Sequence, residues 1–598
     1  MSSRPQKLDH AAIGNGRVLA LVAPTSAIEW LCLPRIDSPS VFATLLDDER
    51  GGSFAIDGES ATGSLEYVAN TNVARSLFQN ASGEWEIVDF APRTMVGDGS
   101  VYAPSEIVRL VMPRSGTPRL RVRFDPRPDY GASTVRLELS ALGIVANGGP
   151  RPLHLLTNAP TRQIIAGQEL ELIEPLFFVV TMDDEPRQRS VADVLEDLDH
   201  TVRGWRLWAM SCALPTFHAN AALRSALCLK LHIAESSGAV IAAATTSIPE
   251  ELGTPRTWDY RFCWLRDAAF VVDALRRISH LRETERFIEF LERVMSTGPL
   301  QPVYGIGGER HLPERFLPHL RGFSGNGFVR VGNAAAIQLQ NDLAGELVLC
   351  LGTALDDPRI LPDERDQRFE LICRLVEAAI ATKDQPDTGI WELRTQLNFH
   401  TFSQAMTWAA IHRGAGLAKR FGRLDLFARW QALADDKRRD VLERGFSTER
   451  GCFTQSLDGS HADAAILLLP TIGLIRPEDA RMVSTVAAYE RDLVRNGLML
   501  RYAHADDVGV PRSAFTICSF WWAELLALQG RLEDAQRVFE QLLQHANPLG
   551  LFSEDIDPET GDLLGNFPQA YTHVGLIHAA LTISQLLDAR DGRARAWE

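Results

Sequence analysis

The sequence predicts a multidomain protein, an N-terminal antiparallel β-sandwich followed by a C-terminal all-α domain. Three observations predict it. At 598 residues the chain is too long for one ordinary core. Up to about residue 185 its apolar residues alternate with period two, the mark of half-buried strands. Beyond that point they recur every three or four residues, as on one face of a helix.

The first half supplies the strands. In "RLRVRF", Leu120, Val122 and Phe124 face one way while Arg119, Arg121 and Arg123 face the other. In "TVRLELS", Val135, Leu137 and Leu139 alternate with Arg136, Glu138 and Ser140. Turn residues such as Ala81-Ser82-Gly83 and Asn147-Gly148-Gly149 punctuate these runs. Val191, Val194, Leu195, Leu198, Val202 and Trp205 then mark a linker helix. The expected units are a sandwich over residues 1–190, a helical linker over 191–216 and a helical domain over 217–598. Within the last, Phe270, Ala274, Leu275, Ile278 and Leu281 form one stripe, and Phe287, Phe290, Leu291 and Val294 another, stopped by Gly298-Pro299. The segment has room for twelve helices at about 31 residues each. A closed barrel of six helical hairpins would bury such stripes; so would a solenoid.

Charge narrows the function. The net charge is −16, with no basic run, so nucleic acid would be repelled, whereas a neutral sugar would be indifferent. No apolar run is long enough to span a bilayer, and the N-terminus lacks a signal-peptide core. The eight cysteines are dispersed without paired spacing, which suits reduced thiols in a cytoplasm better than disulfides or a zinc site.

Four loop segments carry the unusual residues. "TWDYRFCWLRDAAF" (257–270) sets Trp258, Tyr260, Phe262 and Trp264 before Arg266 and Asp267. Aromatic faces, a bidentate acceptor and a bidentate donor are what a sugar ring needs. A core aromatic cluster with a helix-capping Asp reads equally well. Residues 304–342 form a long glycine-rich loop without a phosphate-loop GK[ST], ending in a helix expected near Asn333; His311 and His319 lack metal-ligand spacing. In "QPDTGIWELR" (385–394), Glu392 follows Trp391 directly. It is either a helix-start glutamate or a proton donor with apolar neighbours. In "GLFSEDIDPETGDLLGNFPQAYTHVG" (550–575), Glu554 and Asp555 come as a pair, and carboxylates on two different loops of one helical domain, here and at Glu392, suit acid and base roles in glycosidic cleavage.

These motifs, together with "IEWLCLPRIDSPSVFATLLDDERGG" in the first half, resemble bacterial members of glycoside hydrolase family 15, the glucoamylase, glucodextranase and trehalase group, over nearly the whole chain. The resemblance implies that the helical domain is an (α/α)6 barrel and that the activity is inverting, exo-acting hydrolysis of α-glucosides. It implies Glu392 as general acid and Glu554 as general base. It puts Arg266 and Asp267 on the terminal glucose, Tyr260 and Trp264 in the same subsite, and Trp391 as the indole keeping Glu392 dry. Gln404 and Arg512 depart from the family pattern in stretches expected at the sugar-binding end.

The retained Glu554 argues against a phosphorylase, the acidic chain against a lyase, and the intact glutamates against a non-catalytic sugar-binding relative. The expected partner is a small soluble oligosaccharide, of malto- or isomalto-type first and α,α-1,1-trehalose second. No nucleic acid, membrane, cofactor or metal is expected; a homo-oligomer is compatible with the chain.

Overall fold

In the computed structural model, which describes residues 6–97, 100–355 and 361–592, strands occupy the chain through Thr181 and helices dominate from Val191. The strands form two antiparallel sheets. One has seven strands and includes Ala11–Gly14, Leu19–Val22, Ile28–Cys32, Ser53–Asp57 and Arg119–Asp125. The other has eight and includes Ala74–Asn80, Gly83–Phe90, Glu106–Gly116 and Leu176–Thr181. Their inner faces enclose a core of Ile28, Phe54, Trp85, Ile87, Leu120, Val122 and Phe178. Leu120, Val122 and Phe124 are buried and their arginine neighbours exposed, as the alternation predicts. The strand Arg136–Ser140 differs: Leu139 is half exposed, because this strand is the sheet's edge and pairs only with Gly143–Asn147.

One charged pair lies within the sandwich core. Arg109 and Asp89 are cross-strand partners with fully buried side chains, the guanidinium Nε donating to Asp89 Oδ1 at 2.7 Å. Nη1 donates to the Phe54 carbonyl at 2.7 Å and Nη2 to that of Ser26, so the arginine ties the two sheets together. Removing one partner would strand the other charge. Asp89→Ala is therefore expected to cost about 3–5 kcal/mol in urea unfolding. A loss below about 1 kcal/mol would show that the pair is dispensable.

A one-turn helix α1 (Thr161–Ile165) precedes the linker helix α2 (Val191–Met210), which starts with a reciprocal Ser190–Asp193 capping box. The helical domain then contains α3 (Ala219–Leu231), α4 (Leu265–Arg277), α5 (Leu281–Ser296), α6 (Leu343–Ala354), α7 (Pro362–Thr382) and α8 (Thr401–Arg420). It continues with α9 (Leu424–Arg444), α10 (Ala480–Asp492), α11 (Thr516–Leu528), α12 (Leu532–Leu543) and α13 (Ala570–Arg590). Packing closes an inner ring in the order α4, α6, α8, the single 3-10 turn Ala464–Leu468, α11, α13 and back to α4. The remaining helices lie outside it, so the domain is an (α/α)6 barrel in which one inner helix is reduced to a turn. Among the described residues no helix is long and apolar enough to cross a membrane.

Sandwich and barrel share one core, and some of the polar links between them reach the loop of Tyr260 and Trp264 or the segment paired with it. Trp30 of the "IEWLCLPR" segment donates its indole N–H to the Ala244 carbonyl at 2.8 Å. Arg261, paired with Asp259, donates to Tyr130 Oη and the Ser38 carbonyl, both at 2.7 Å. The sandwich thus braces the segment that carries the barrel's aromatic pair.

Candidate active site

A cleft at the N-terminal ends of the inner helices is lined by all seven residues singled out from the sequence: Tyr260, Trp264, Arg266, Asp267, Trp391, Glu392 and Glu554. Arg266 and Asp267 sit in the first turn of α4, which brings them to the ring's mouth.

Glu392 lies in a turn, not at a helix start; the next helix begins at Thr401. The turn is set by Asp387, which accepts from the Asn341 backbone N–H at 2.9 Å and from Ser403 Oγ at 2.8 Å. Gly389 follows at φ +67°, and a Cβ there would come within 2.7 Å of the His400 ring. Ile390 and Leu393 are buried, and Glu392 itself adopts φ +60°. A left-handed backbone at a non-glycine is strained, and such strain concentrates at functional sites. The Glu392 Oε1 accepts from Trp264 Nε1 at 2.6 Å, Gln340 Nε2 at 3.1 Å and Arg266 Nη2 at 3.2 Å.

Trp391, expected as the indole keeping Glu392 dry, lines the same cleft and is half-buried. Its indole N–H donates to Asp463 Oδ2 at 2.8 Å, and its ring packs against Phe515, Tyr502 and Trp521. The indole N–H that Glu392 accepts from is that of Trp264. The Glu392 side chain keeps 23% of its surface exposed.

Glu554 is buried. Tyr260 Oη donates to its Oε1 at 2.7 Å, while Oε2 has no partner among the described residues. Gly565, at φ +70°, faces this side chain; a Cβ there would come within 2.6 Å of the Glu554 Cβ. Burial, with Glu250 and Asp555 nearby, pushes the Glu554 carboxyl well above the usual carboxylate range; Arg501 and the Tyr260 hydroxyl oppose this without cancelling it. Burial also raises Asp267 to about 6 despite Arg266 beside it at 3.4 Å. Asp267 Oδ2 and Arg266 Nε are buried and face each other at that 3.4 Å, with no hydrogen bond to other groups among the described residues.

Sequence reasoning missed several residues here. Gln340 and Gln338 reach Glu392 because the helix expected near Asn333 is only a 3-10 turn, Ala334–Ile337. The chain then extends at Gln338, and α6 begins at Leu343. Gln338 and Gln340 alternate with Ile337 and Leu339, a period-two signal that was there to be read. Also lining the cleft, Glu250 accepts from Trp258 Nε1 at 2.6 Å and pairs with Arg501, and Arg256 pairs with Asp506 at 2.6 Å. Nothing local in the sequence marks these. Gln404 and Arg512 do not line the cleft: Gln404 is buried on α8 and bonded to Lys437, and the Arg512 side chain is 83% exposed beside Glu251. His319 donates to the Tyr130 carbonyl at 2.8 Å.

Comparison with known proteins matches residues 216–581 to the profile of glycosyl hydrolases family 15 and residues 3–171 to a trehalase-like N-terminal domain. A trehalase from Mycobacterium tuberculosis is 34% identical, covering 98% of this chain and 91% of its own. A trehalase from Thermoplasma volcanium is 32% identical, covering 98% and 94%. A bacterial glucoamylase solved with acarbose superposes with a TM-score of 0.69 at 13% identity, covering 98% of this chain and 95% of its own, a likeness of fold.

Proposed function

The chain belongs to glycosyl hydrolases family 15 and is a glycoside hydrolase, and from that premise we propose that it cleaves the α,α-1,1 bond of trehalose with inversion. The observation carrying this reading is that relatives named trehalase align with 98% of the chain, sandwich and barrel together. Malto- and isomalto-oligosaccharides, the first expectation from the sequence, become the second. The polar lining of the cleft supports the change. Trehalose ends in a non-reducing ring on both sides, so its leaving group needs hydroxyl partners and no onward groove. Glu250, Arg256, Arg501, Asp506 and Trp258 line the cleft and supply polar groups for such contacts.

The chemistry follows from the tethering of each carboxylate. Glu392 has Oε1 held by three N–H donors, which leaves Oε2 to give its proton to the glycosidic oxygen as the bond breaks. Glu554 has Oε1 held by Tyr260, which leaves Oε2 to take a proton from the water that attacks the anomeric carbon from the opposite face. Trp264 and Tyr260, the groups that hold the two carboxylates, pack edge to face with ring centroids 5.4 Å apart. Arg266 and Asp267 grip the hydroxyls of the ring being attacked.

Glucose release from equal concentrations of trehalose, maltose and isomaltose tests the reading; a preference for maltose would overturn it. Asp267→Ala is expected to lower kcat/KM by about 4 kcal/mol, roughly a thousandfold, with the melting temperature kept. An unfolded variant would instead mark Asp267 as a structural cap.

The acid limb of the pH profile should lie high. A base works ionised, and Asp267 must be ionised to accept two hydroxyl donors; a raised pKa therefore removes activity as pH falls through it. With Asp267 at about 6 and Glu554 raised above 4.5, kcat/KM is expected to fall by half near or above pH 6. A midpoint at 4.5, the ordinary glutamate value, would contradict this.

A further inference from the structure

The inner ring is short of helix at one place. Five of its members run from 12 to 21 residues, whereas the sixth is the 3-10 turn Ala464–Leu468, followed by turns up to Pro477. Beside this short member lies a cavity of about 530 Å³. All six ring members line it, so it lies on the barrel axis, and the short member contributes Leu468 with Thr471, Ile472 and Gly473 after it.

This cavity is distinct from the cleft. Its walls come from later turns of the inner helices, such as Asp273 of α4, His412 of α8 and His578 of α13. Aromatic rings separate the two spaces. Tyr571 faces the cleft and packs on Phe270 at 5.2 Å and Trp521 at 5.8 Å, both of which face the cavity.

The lining is mixed in a specific way. Phe270, Trp408 and Trp521 provide apolar ring faces, with His412 stacked on Trp408 at 5.0 Å. Asp273 is already compensated by Arg276 at 2.7 Å and His578 at 3.4 Å, and Glu524 accepts from Thr582 at 2.7 Å. Glu346 is different. It is 3% exposed, lines the cavity, and has neither carboxyl oxygen hydrogen-bonded to the protein. A buried carboxyl without a partner costs free energy that a hydroxyl-bearing ligand would recover.

We propose that the axial cavity is a second binding site, separate from the cleft, for a neutral polyhydroxylated molecule of monosaccharide to disaccharide size. The volume falls within the roughly 300–1,000 Å³ of small-molecule sites. Ring faces take the C–H surfaces of a sugar, and Glu346 takes its hydroxyls. The orphan carboxyl disfavours an anion. Burial, with Asp342 one turn before it and Asp267 nearby, raises the Glu346 carboxyl above the usual carboxylate range against the pull of Arg266, which favours a hydroxyl partner over a cation.

D-glucose, a hydroxyl-rich product of glycoside hydrolysis, is the probe, and calorimetry counts its sites on the full chain. Because binding rather than turnover is read, the count stands apart from whether trehalose is the substrate. Asp267→Ala, which weakens the cleft, is expected to retain a saturable glucose site. Glu346→Leu is expected to lower the number of sites by one in both the wild-type and the Asp267→Ala backgrounds. Glu346→Gln keeps the shape and both hydrogen-bonding functions; it controls for folding and should bind with affinity reduced about tenfold. An unchanged site count in folded Glu346→Leu would overturn the proposal. So would saturable binding of choline, a cation of similar size, with no glucose site in Asp267→Ala.

Discussion

Glu392→Gln is expected to lower kcat on trehalose by about 10⁴-fold, the upper range of general acid catalysis, while hydrolysis of α-glucosyl fluoride falls by tenfold or less. The difference arises at the leaving group. A glucose hydroxylate is a poor leaving group and needs a proton as the bond breaks; fluoride needs much less help. The substitution preserves the site's shape. The new amide can turn its oxygen toward Trp264, Gln340 and Arg266, which already crowd one carboxylate oxygen, and present its NH2 where the proton had been. The left-handed turn at residue 392 is held by backbone bonds to Gly389 and Thr388 and does not depend on the carboxylate. Loss of activity would therefore report chemistry rather than unfolding. Equal losses on trehalose and on the fluoride would sink the acid role.

How far the site could be read from the chain depends on what each residue needs. The alternation of "RLRVRF" and the helical stripes record burial on one face, a local property, so the sandwich and the barrel helices were legible. Leu139 misled because an edge strand has the pattern of a buried one without the cover. Arg266, Asp267, Glu392 and Glu554 stood out as charges set among aromatic or turn residues. Which indole serves Glu392 did not, because Trp264 meets it only through the fold. Glu250, Arg501 and Asp506 were invisible for the same reason: they are joined only in space, across some 250 residues of chain. The shortened inner helix was missed because Ala464–Leu468 is as apolar as any helix start, and its end is set by the chain that follows.

The second large effect concerns Glu554 and the stereochemistry of the products. Glu554→Ala is expected to abolish turnover, by about 10³–10⁴-fold, without accumulation of a covalent glucosyl-enzyme. In an inverting reaction the two carboxyl groups stand about 6.5–9.5 Å apart, leaving room for water, against roughly 5–5.5 Å where the second carboxylate attacks carbon directly. Here Glu554 has one oxygen fixed by Tyr260 and the other unpaired and buried, and Gly565 presses on the side chain from behind. That leaves one carboxylate oxygen anchored and the other available to accept a proton from water. Trehalose makes the outcome easy to read. The leaving glucose keeps its own C1–O bond and departs as the α anomer. The attacked glucose gains its oxygen from water and appears as β if inverted and as α if retained. Proton NMR before mutarotation should therefore find α- and β-glucose in equal amounts. Release of two α-glucose molecules would overturn both the inverting mechanism and the assignment of Glu554 as its base.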